Sequence, residues 1–129
     1  MRQKLWEMGM IPDAADLIIN HLLQQNFLNE TRFAQAFARG KFRTKKWGKT
    51  RILRELKMRD ISEFNLKIAL KEIPEDEYMA TFHALAEKRF AQVASEKNIQ
   101  KKKKKIADYL LYRGWESHLV WEKLHELHS

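Results

Sequence analysis

The sequence predicts an all-α fold made of tandem three-helix repeats, and two observations support this prediction. First, only four glycines and two prolines occur in 129 residues. Leu, Ala, Lys, Glu, Gln and Arg dominate the composition, and these residues lose little free energy on entering a helix. Second, one short pattern recurs about every 50 residues, and no segment predicts a strand.

The recurring pattern is a Leu, four residues that end in Gly or Asp, and then a large apolar residue. It occurs as LWEMGM from Leu5, LKMRDI from Leu56 and LLYRGW from Leu110, at spacings of 51 and 54 residues. A second correspondence, at a spacing of 49, relates RFAQAFARGKF from Arg32 to TFHALAEKRF from Thr81. Repeated units of this size bury little apolar surface alone and depend on their neighbours. We therefore expect an elongated, curved array.

The pattern divides the chain into three repeats, residues 1–44, 45–98 and 99–129. The second repeat has a full helix before Leu56, whereas the first begins with the last turns of a helix at Met1. We therefore expect the first repeat to be incomplete, either because the native protein starts there or because an N-terminal portion is missing.

Helix-breaking and capping residues set the predicted elements of the first half. Pro12 opens a helix that runs to about Gln25, and Asn29 is the predicted N-cap of a second helix. The helical pattern breaks around Trp47 and Gly48, then resumes in a helix that ends near Asp60.

The second half contains four more predicted helices. Ser62 is the predicted N-cap of the first, and Pro74 stops that helix and begins a long one. A break near Asn98 precedes a lysine-rich helix that ends at Gly114, and a final helix follows. The apolar stripes of all these helices predict the core, with Ile18, Leu22, Phe33, Phe37, Ile52, Leu53, Leu56, Leu66, Leu70, Ile73, Tyr78, Phe82, Leu85, Val93, Ile106, Leu110, Val120, Leu124 and Leu127.

The charge of the chain indicates a polyanionic partner. The formal net charge is +8 and the sequence pI is about 9.8. The absence of cysteine excludes disulfides, thiol nucleophiles and thiolate metal sites, and it suits a reducing cytoplasm. There is no apolar run of roughly 18 residues and no secretion signal. We therefore expect an intracellular, cytoplasmic monomer that has no contact with membranes.

No motif in the sequence supports catalysis. The chain has no Gly-rich phosphate loop, no nucleophile with a paired base and no His-Glu helix motif. His125 and His128 share a helix face without a third ligand, and the acidic residues 75–77 are explained by the dipole of the helix that they begin. We predict a protein that is not an enzyme and that needs no metal or cofactor.

The segment KFRTKKWGKTRILR at positions 41–54 is the most basic part of the chain, with seven Lys or Arg residues and no acidic residue. Because such charges repel one another, we favour a negative partner over a merely solvated surface. An indole at Trp47 could stack on a base or a partner, or it could anchor the loop to the core, and the sequence leaves both readings open. The residues predicted to bind a partner here are Arg39, Lys41, Arg43, Lys45, Lys46, Trp47, Lys49, Arg51 and Arg54.

A second basic segment, QKKKKKIADYLLYRG, contains five consecutive lysines followed by an arginine. Successive helical residues point in every direction, so at least two of these lysines face away from any core. Lysine contacts to phosphate give affinity without sequence specificity, so specific operator binding is disfavoured. A solvated helix start is the alternative. The predicted binding residues of this segment are Lys101, Lys102, Lys103, Lys104, Lys105 and Arg113.

These segments together resemble the RecX family of bacterial recombination regulators. The resemblance extends from about Leu5 to Leu127, and its C-terminal part is KKKKKIADYLLYRGWESHLVWEKL, which looks like the last repeat of the family. The matching N-terminal motifs are Phe27-Leu28-Asn29-Glu30, Arg32-Phe33-Ala34, Gly48 in a basic loop, and Leu56 to Ser62. Two features depart from the family pattern: an additional N-terminal helix is absent, and Asp60 replaces a common glycine.

The resemblance implies three tandem three-helix repeats and a function as a regulator. RecX-like proteins bind the recombinase RecA and its filament on single-stranded DNA, and they restrain ATPase activity, filament growth and strand exchange. We therefore expect a non-enzymatic RecA modulator for which single- or double-stranded DNA is a further candidate ligand. The alternative is a general basic nucleic-acid-binding helical protein without a dedicated protein partner.

Overall fold

The computed structural model describes the backbone of residues 12–128, and among residues 12–24 it describes only the side chain of His21. The pattern at Leu5 and the side chains of Ile18 and Leu22 therefore lie outside the described residues. Six α-helices and a short π-helical segment, Lys41–Lys45, make up the described chain. The helices are α1 (Pro12–Gly40), α2 (Lys49–Met58), α3 (Glu63–Leu70), α4 (Glu75–Gln92), α5 (Ile99–Tyr112) and α6 (Ser117–His128).

The all-α prediction is confirmed, but one predicted helix boundary is wrong. Asn29 does not cap a helix, because α1 runs through it without interruption from Pro12 to Gly40. The interval after Pro12 contains no further proline and no glycine before Gly40. An interior Asn costs only about 0.7 kcal/mol relative to Ala, so it does not end a helix.

The predicted cap at Ser62 is confirmed, and Asn98, where the sequence predicts only a break, is the N-cap of α5. The Ser62 hydroxyl accepts a hydrogen bond from the backbone N–H of Asn65 at 3.3 Å, and the Asn98 side chain accepts one from the N–H of Lys101 at 3.0 Å. Each bond satisfies a backbone donor that a helix N-terminus otherwise leaves without a partner.

The chain divides into two compact units, of which the first extends to Phe33 and the second comprises Ala34–Ser129. In the first unit, the Phe27, Leu28 and Phe33 side chains are exposed. The second unit contains the buried core, which α2 to α6 and the end of α1 contribute. The length and curvature of the predicted array stay a prediction.

Trp115 lies at the centre of the core of the second unit. It is 1% exposed, and its ring centroid is 4.5 Å from that of Tyr78 and 5.3 Å from that of Phe82. Of the predicted core residues, Phe33, in the first unit, is exposed, so that prediction is wrong. In the second unit, the others are buried except the half-buried Phe37, Leu53, Leu70, Leu85 and Leu127.

The recurring pattern forms the same helix end twice. After α2, the N–H of Asp60 donates to the carbonyl of Lys57 and the N–H of Ile61 donates to that of Leu56. After α5, Gly114 and Trp115 donate in the same way to Leu111 and Leu110. Asp60 and Gly114 both have positive φ, at 58° and 93°. These are Schellman motifs, in which the large apolar residue packs back on the Leu.

The spacing of 49 between the preceding helices is wrong by one residue. It pairs Phe33, which is 45% exposed, with Phe82, which is 1% exposed. The buried residues Ala34 and Ala38 match the buried Phe82 and Ala86 at a spacing of 48. The spacing of 49 matches two identical residues, whereas equivalent positions of two repeated helices are those that face the core.

Candidate functional site

The basic loop between α1 and α2 is anchored by an apolar residue within it. Phe42 is 2% exposed, and its ring centroid lies 5.8 Å from that of Tyr78. The π-helical segment that holds Phe42 is capped at its C-terminus by Lys46, whose φ is 58° and whose N–H donates to the Phe42 carbonyl at 3.0 Å. The loop is therefore ordered around a buried side chain, and its cations lie on both sides of that residue in sequence.

The end of this loop lies against the turn between α5 and α6. The Gly48 N–H donates to the Arg113 carbonyl at 2.8 Å, and the Thr50 N–H donates to the Gly114 carbonyl at 3.0 Å. Between them, the Lys49 N–H donates to the Tyr78 hydroxyl at 2.8 Å. Protein groups thus satisfy the first donors of α2, and they bring the two predicted basic segments together at this point.

The Tyr78 hydroxyl is the polar centre of that junction. It accepts from Lys49 and donates to Glu116 Oε1, which connects α2, α4 and the start of α6. Burial, followed by the hydrogen bond to Glu116, raises the pKa of the Tyr78 hydroxyl well above its ordinary value. The neutral hydroxyl is therefore an integral part of the packing.

A groove of about 720 Å³ opens beside the junction, and we call it the junction groove. Five cations, one acid and three aromatic residues line it. They are Lys45, Arg51, Arg89, Lys105, Arg113, Asp108, Trp47, Tyr109 and Tyr112. The structure therefore brings together three residues of the predicted basic loop and two of the predicted C-terminal patch.

The structure supports the reading in which Trp47 anchors the loop, whereas its stacking on a base or a partner stays a prediction. The side chain is half-buried, packs against the core and has its ring centroid 6.2 Å from that of Phe37. The same indole lines the junction groove, with Arg51 Cζ 4.2 Å and Lys41 Nζ 5.2 Å from its centroid. Trp47 thus anchors the loop and contributes a wall of the groove.

Several predicted cations have carboxylate partners that are distant in sequence. Arg39 pairs with Glu72, Arg43 Nε lies 3.6 Å from Glu77, and Lys49 Nζ lies 3.0 Å from Glu75. The basic segment has no acidic residue of its own, but the fold brings distant carboxylates to these three cations. The acidic start of α4 neutralises one side of the basic loop in addition to its favourable interaction with the helix dipole.

The remaining cations of the first segment lie at the surface. Lys45 and Lys46 are exposed, as is Arg54, which lies on α2 and is not among the residues of the junction groove. Lys41 Nζ lies 5.6 Å from the Phe37 centroid in addition to its contact with Trp47.

The five consecutive lysines have different surroundings. Lys101 is exposed, Lys103 is half-buried, and Lys102 Nζ lies 4.4 Å from the Phe90 centroid. Lys104 pairs with Asp108 at 2.7 Å, and Lys105 pairs with Glu96 at 3.4 Å. Although partial desolvation opposes it, Lys105 holds the pKa of Glu96 below its ordinary value.

Sequence reasoning missed four residues of the junction groove, Arg89, Asp108, Tyr109 and Tyr112. Tyr109 and Tyr112 lie one turn apart on α5, just before Arg113, and this alternation of aromatic and basic residues was a usable signal. Arg89, on α4, has no local signal, because only the packing of α4 against α5 brings it to the groove.

Two negative findings apply to the residues that the structure describes. No helix among them is long and apolar enough to cross a membrane. Within the same part of the chain, no three His, Cys, Asp or Glu side chains are grouped so that they could hold a metal ion.

Two consecutive parts of the chain match models of a known protein family. Residues 29–70 match the family model described as "RecX, second three-helix domain", and residues 75–124 match "RecX, third three-helix domain". These ranges begin at residues 29 and 75, whereas our division places boundaries after residues 44 and 98, and that division stays a prediction.

Individual relatives cover most of the chain. The regulatory protein RecX of Vibrio campbellii is 32% identical over 113 residues, which are 88% of this chain and 70% of the relative. RecX of Clostridioides difficile is 29% identical over 112 residues, 85% of this chain and 51% of the relative. This chain therefore spans about half the length of the second protein.

The fold also has a counterpart among solved structures. The crystal structure of RecX from Lactobacillus salivarius superimposes with a TM-score of 0.67 at 25% identity, covering 98% of this chain and 81% of that chain. The three-helix repeats predicted from the sequence are confirmed by this similarity and by the two matched domains.

Proposed function

The chain belongs to the RecX family, and from this membership we propose that it is a non-enzymatic regulator of the recombinase RecA. It binds RecA and RecA filaments on single-stranded DNA, and it restrains ATPase activity, filament growth and strand exchange. It acts as a monomer in the cytoplasm, without a cofactor.

The observation that supports binding of a nucleoprotein filament is the convergence of both basic segments at one groove. Lys45, Arg51, Lys105 and Arg113 line it, and the exposed Lys46 follows Lys45 in sequence. A surface with cations on two repeats makes several weak contacts at once, and such contacts add through effective concentration.

The structure changes which cations we assign to the partner. Lys45, Lys46, Arg51 and Arg113 supply binding in this proposal, with Lys101 and Lys103 as outer contacts. Arg39, Arg43 and Lys49 contribute less, because their charges already pair with carboxylates of the folded chain.

The junction groove also favours a second candidate function, a general nucleic-acid-binding protein without a dedicated protein partner. Cations interleaved with aromatic rings are the features with which proteins hold single strands irrespective of sequence. This alternative predicts equal affinity for naked and RecA-coated DNA, together with a steep salt dependence.

One experiment separates the two functions. The DNA-dependent ATPase of RecA on single-stranded DNA is titrated with this protein at two salt concentrations, and binding to the same DNA is measured without RecA. Inhibition at concentrations well below those that saturate naked DNA supports the RecA regulator. Inhibition that begins only after the naked DNA is saturated contradicts it and favours the general binder.

A further inference from the structure

Three guanidinium groups of the junction groove are held in place by aromatic rings. Arg51 Cζ lies between two rings, 4.2 Å from the Trp47 centroid and 4.9 Å from the Tyr112 centroid. Arg113 Cζ lies 4.7 Å from the Tyr109 centroid, and Arg89 Cζ lies 5.2 Å from the same centroid. Stacking of this kind fixes the plane of a guanidinium group while its N–H edges stay available.

Hydrogen bonds within the chain fix these groups further without neutralising them. Arg51 Nη1 donates to the Tyr112 carbonyl at 3.2 Å, and Arg113 Nη1 donates to the Lys45 carbonyl at 2.9 Å. In the part of the chain that the structure describes, no carboxylate forms an ion pair with any of the three arginines. Their positive charges are therefore concentrated at the groove.

Arg89 carries a further unmet donor. Its Nη1 donates to Gln92 Oε1 at 3.2 Å, but its Nε is buried and has no hydrogen-bond partner. Leaving a buried N–H without an acceptor destabilises the folded chain. Since Nε is buried, only the other N–H groups of this guanidinium are left for an acceptor in the groove.

We propose that the junction groove is a binding site for a chain of phosphoryl groups attached to an unpaired base. Arg51, Arg89 and Arg113 suit such a ligand, because a planar guanidinium group can donate two parallel hydrogen bonds to one phosphoryl group. Tyr112 is 73% exposed, so its ring can receive the base. A duplex does not satisfy this site, because its bases are already stacked and paired.

Two sources share this chemistry, a free nucleoside triphosphate and a single strand of nucleic acid. The volume of about 720 Å³ lies within the range of small-molecule sites, and it limits the occupant to a short ligand or a short part of a strand. The one acid of the lining, Asp108, pairs with Lys104 at 2.7 Å, which weakens its repulsion of phosphate.

The test uses the isolated chain and changes the shape of the cation without changing its charge. Binding of fluorescein-labelled (dT)8 is measured by anisotropy for Arg89→Lys and Arg51→Lys. The matched control is Arg54→Lys, which lies on the same helix as Arg51 but outside the groove. Thermal unfolding of each variant checks that it is folded.

We expect Arg89→Lys and Arg51→Lys to weaken binding on the order of tenfold each, because lysine cannot form the parallel pair of bonds. Arg54→Lys should bind like the parent chain. Equal affinity of the parent and all three variants would overturn the site.

Competition against labelled (dT)8 identifies the source of the phosphoryl groups. Displacement by ATP supports a free nucleotide, and displacement only by unlabelled (dT)8 supports a strand. If tripolyphosphate competes as well as ATP, the proposed stacking of a base on Tyr112 is wrong. If sulfate competes as well as ATP, the site does not recognise linked phosphoryl groups. RecA is absent from these assays, so their failure is distinguishable from failure of the proposed RecA regulation.

Discussion

Gly48 and Gly114 face each other across the contact between the N-terminus of α2 and the turn after α5. A Cβ atom on Gly48 would lie 2.4 Å from the Gly114 carbonyl oxygen, and a Cβ on Gly114 would lie 2.1 Å from Arg51 Cβ. No real Cβ approaches other atoms so closely, so the contact requires both glycines. This approach places Arg51 and Arg113 at one groove although they are 62 residues apart in sequence.

Gly114→Ala should therefore destabilise the chain by about 2–4 kcal/mol, because it adds a steric clash to a backbone with φ of 93°. The matched control is Gly40→Ala, because its Cβ would meet nothing within 4 Å and its backbone is helical. We expect that change to raise the free energy of unfolding by up to about 1 kcal/mol. Urea unfolding measures both changes, and a Gly114→Ala chain as stable as the parent would contradict the close approach.

Tyr78→Phe should lower the free energy of unfolding near neutral pH by about 1–3 kcal/mol. The change removes the acceptor of the Lys49 N–H and the donor to Glu116. The measurement is urea unfolding at pH 8, where the unfolded-state hydroxyl is still protonated.

The difference in stability between the parent chain and the Tyr78→Phe chain should also depend on pH in the alkaline range. Because the pKa of the Tyr78 hydroxyl is raised in the folded state, only the unfolded chain loses this proton as the pH rises above about 10. The parent then loses stability by up to about 1.4 kcal/mol per pH unit, and the Tyr78→Phe chain lacks this contribution. Their stabilities should converge between pH 10 and pH 11.5, and a constant difference would contradict the buried hydroxyl.

Substitutions of Asp60 test the left-handed turn that ends α2. Its φ of 58° favours glycine, which occupies the equivalent position, Gly114, in the next repeat. Asp60→Gly should stabilise the chain by about 0.5–1 kcal/mol, and Asp60→Ala should destabilise it by a similar amount. Thermal unfolding gives the order, and an Ala variant as stable as the Gly variant would show that the left-handed backbone is not maintained.

Local chemistry made much of this fold predictable. Caps such as Ser62 and Asn98 act on backbone donors two or three residues away, and the Schellman turns repeat a six-residue pattern. The apolar stripes of α2 to α6 were predictable for the same reason, since a helix brings residues three and four apart onto one face. Asn29 was misassigned because a residue that favours a cap is also tolerated inside a long helix.

The candidate site was predictable only in part, because distant segments build it. The basic loop and the C-terminal patch were visible in sequence, whereas Arg89 reaches the groove through the packing of α4 on α5. The pairing of Arg39, Arg43 and Lys49 with acids of residues 72–77 was equally invisible, since 26 to 34 residues separate the partners. A run of like charges in a sequence therefore does not show how much of that charge the fold neutralises.

Charge reversal within the basic loop tests the partner contact. Lys45→Glu with Lys46→Glu should weaken inhibition of the RecA ATPase on the order of tenfold, because both side chains are exposed and would repel a polyanionic filament. The stability of this variant should stay close to that of the parent. Lys49→Glu should differ, because it faces Glu75 and loses the contact of Lys49 Nζ with the Tyr78 ring at 4.5 Å.

The matched control for the double reversal is Lys67→Glu with Lys71→Glu. It makes the same change in net charge at two exposed positions, on α3 and just after it, outside the basic segments and the junction groove. If only the loop variant loses inhibition, the loop contacts the filament, since both variants lose equal long-range attraction. If both variants lose inhibition equally, net charge alone explains the effect, and the assignment of Lys45 and Lys46 to the contact is wrong. Circular dichroism and urea unfolding of the four proteins show whether a variant that loses inhibition is still folded. We expect Lys49→Glu to be the least stable of them, because it replaces an ion pair with two facing carboxylates.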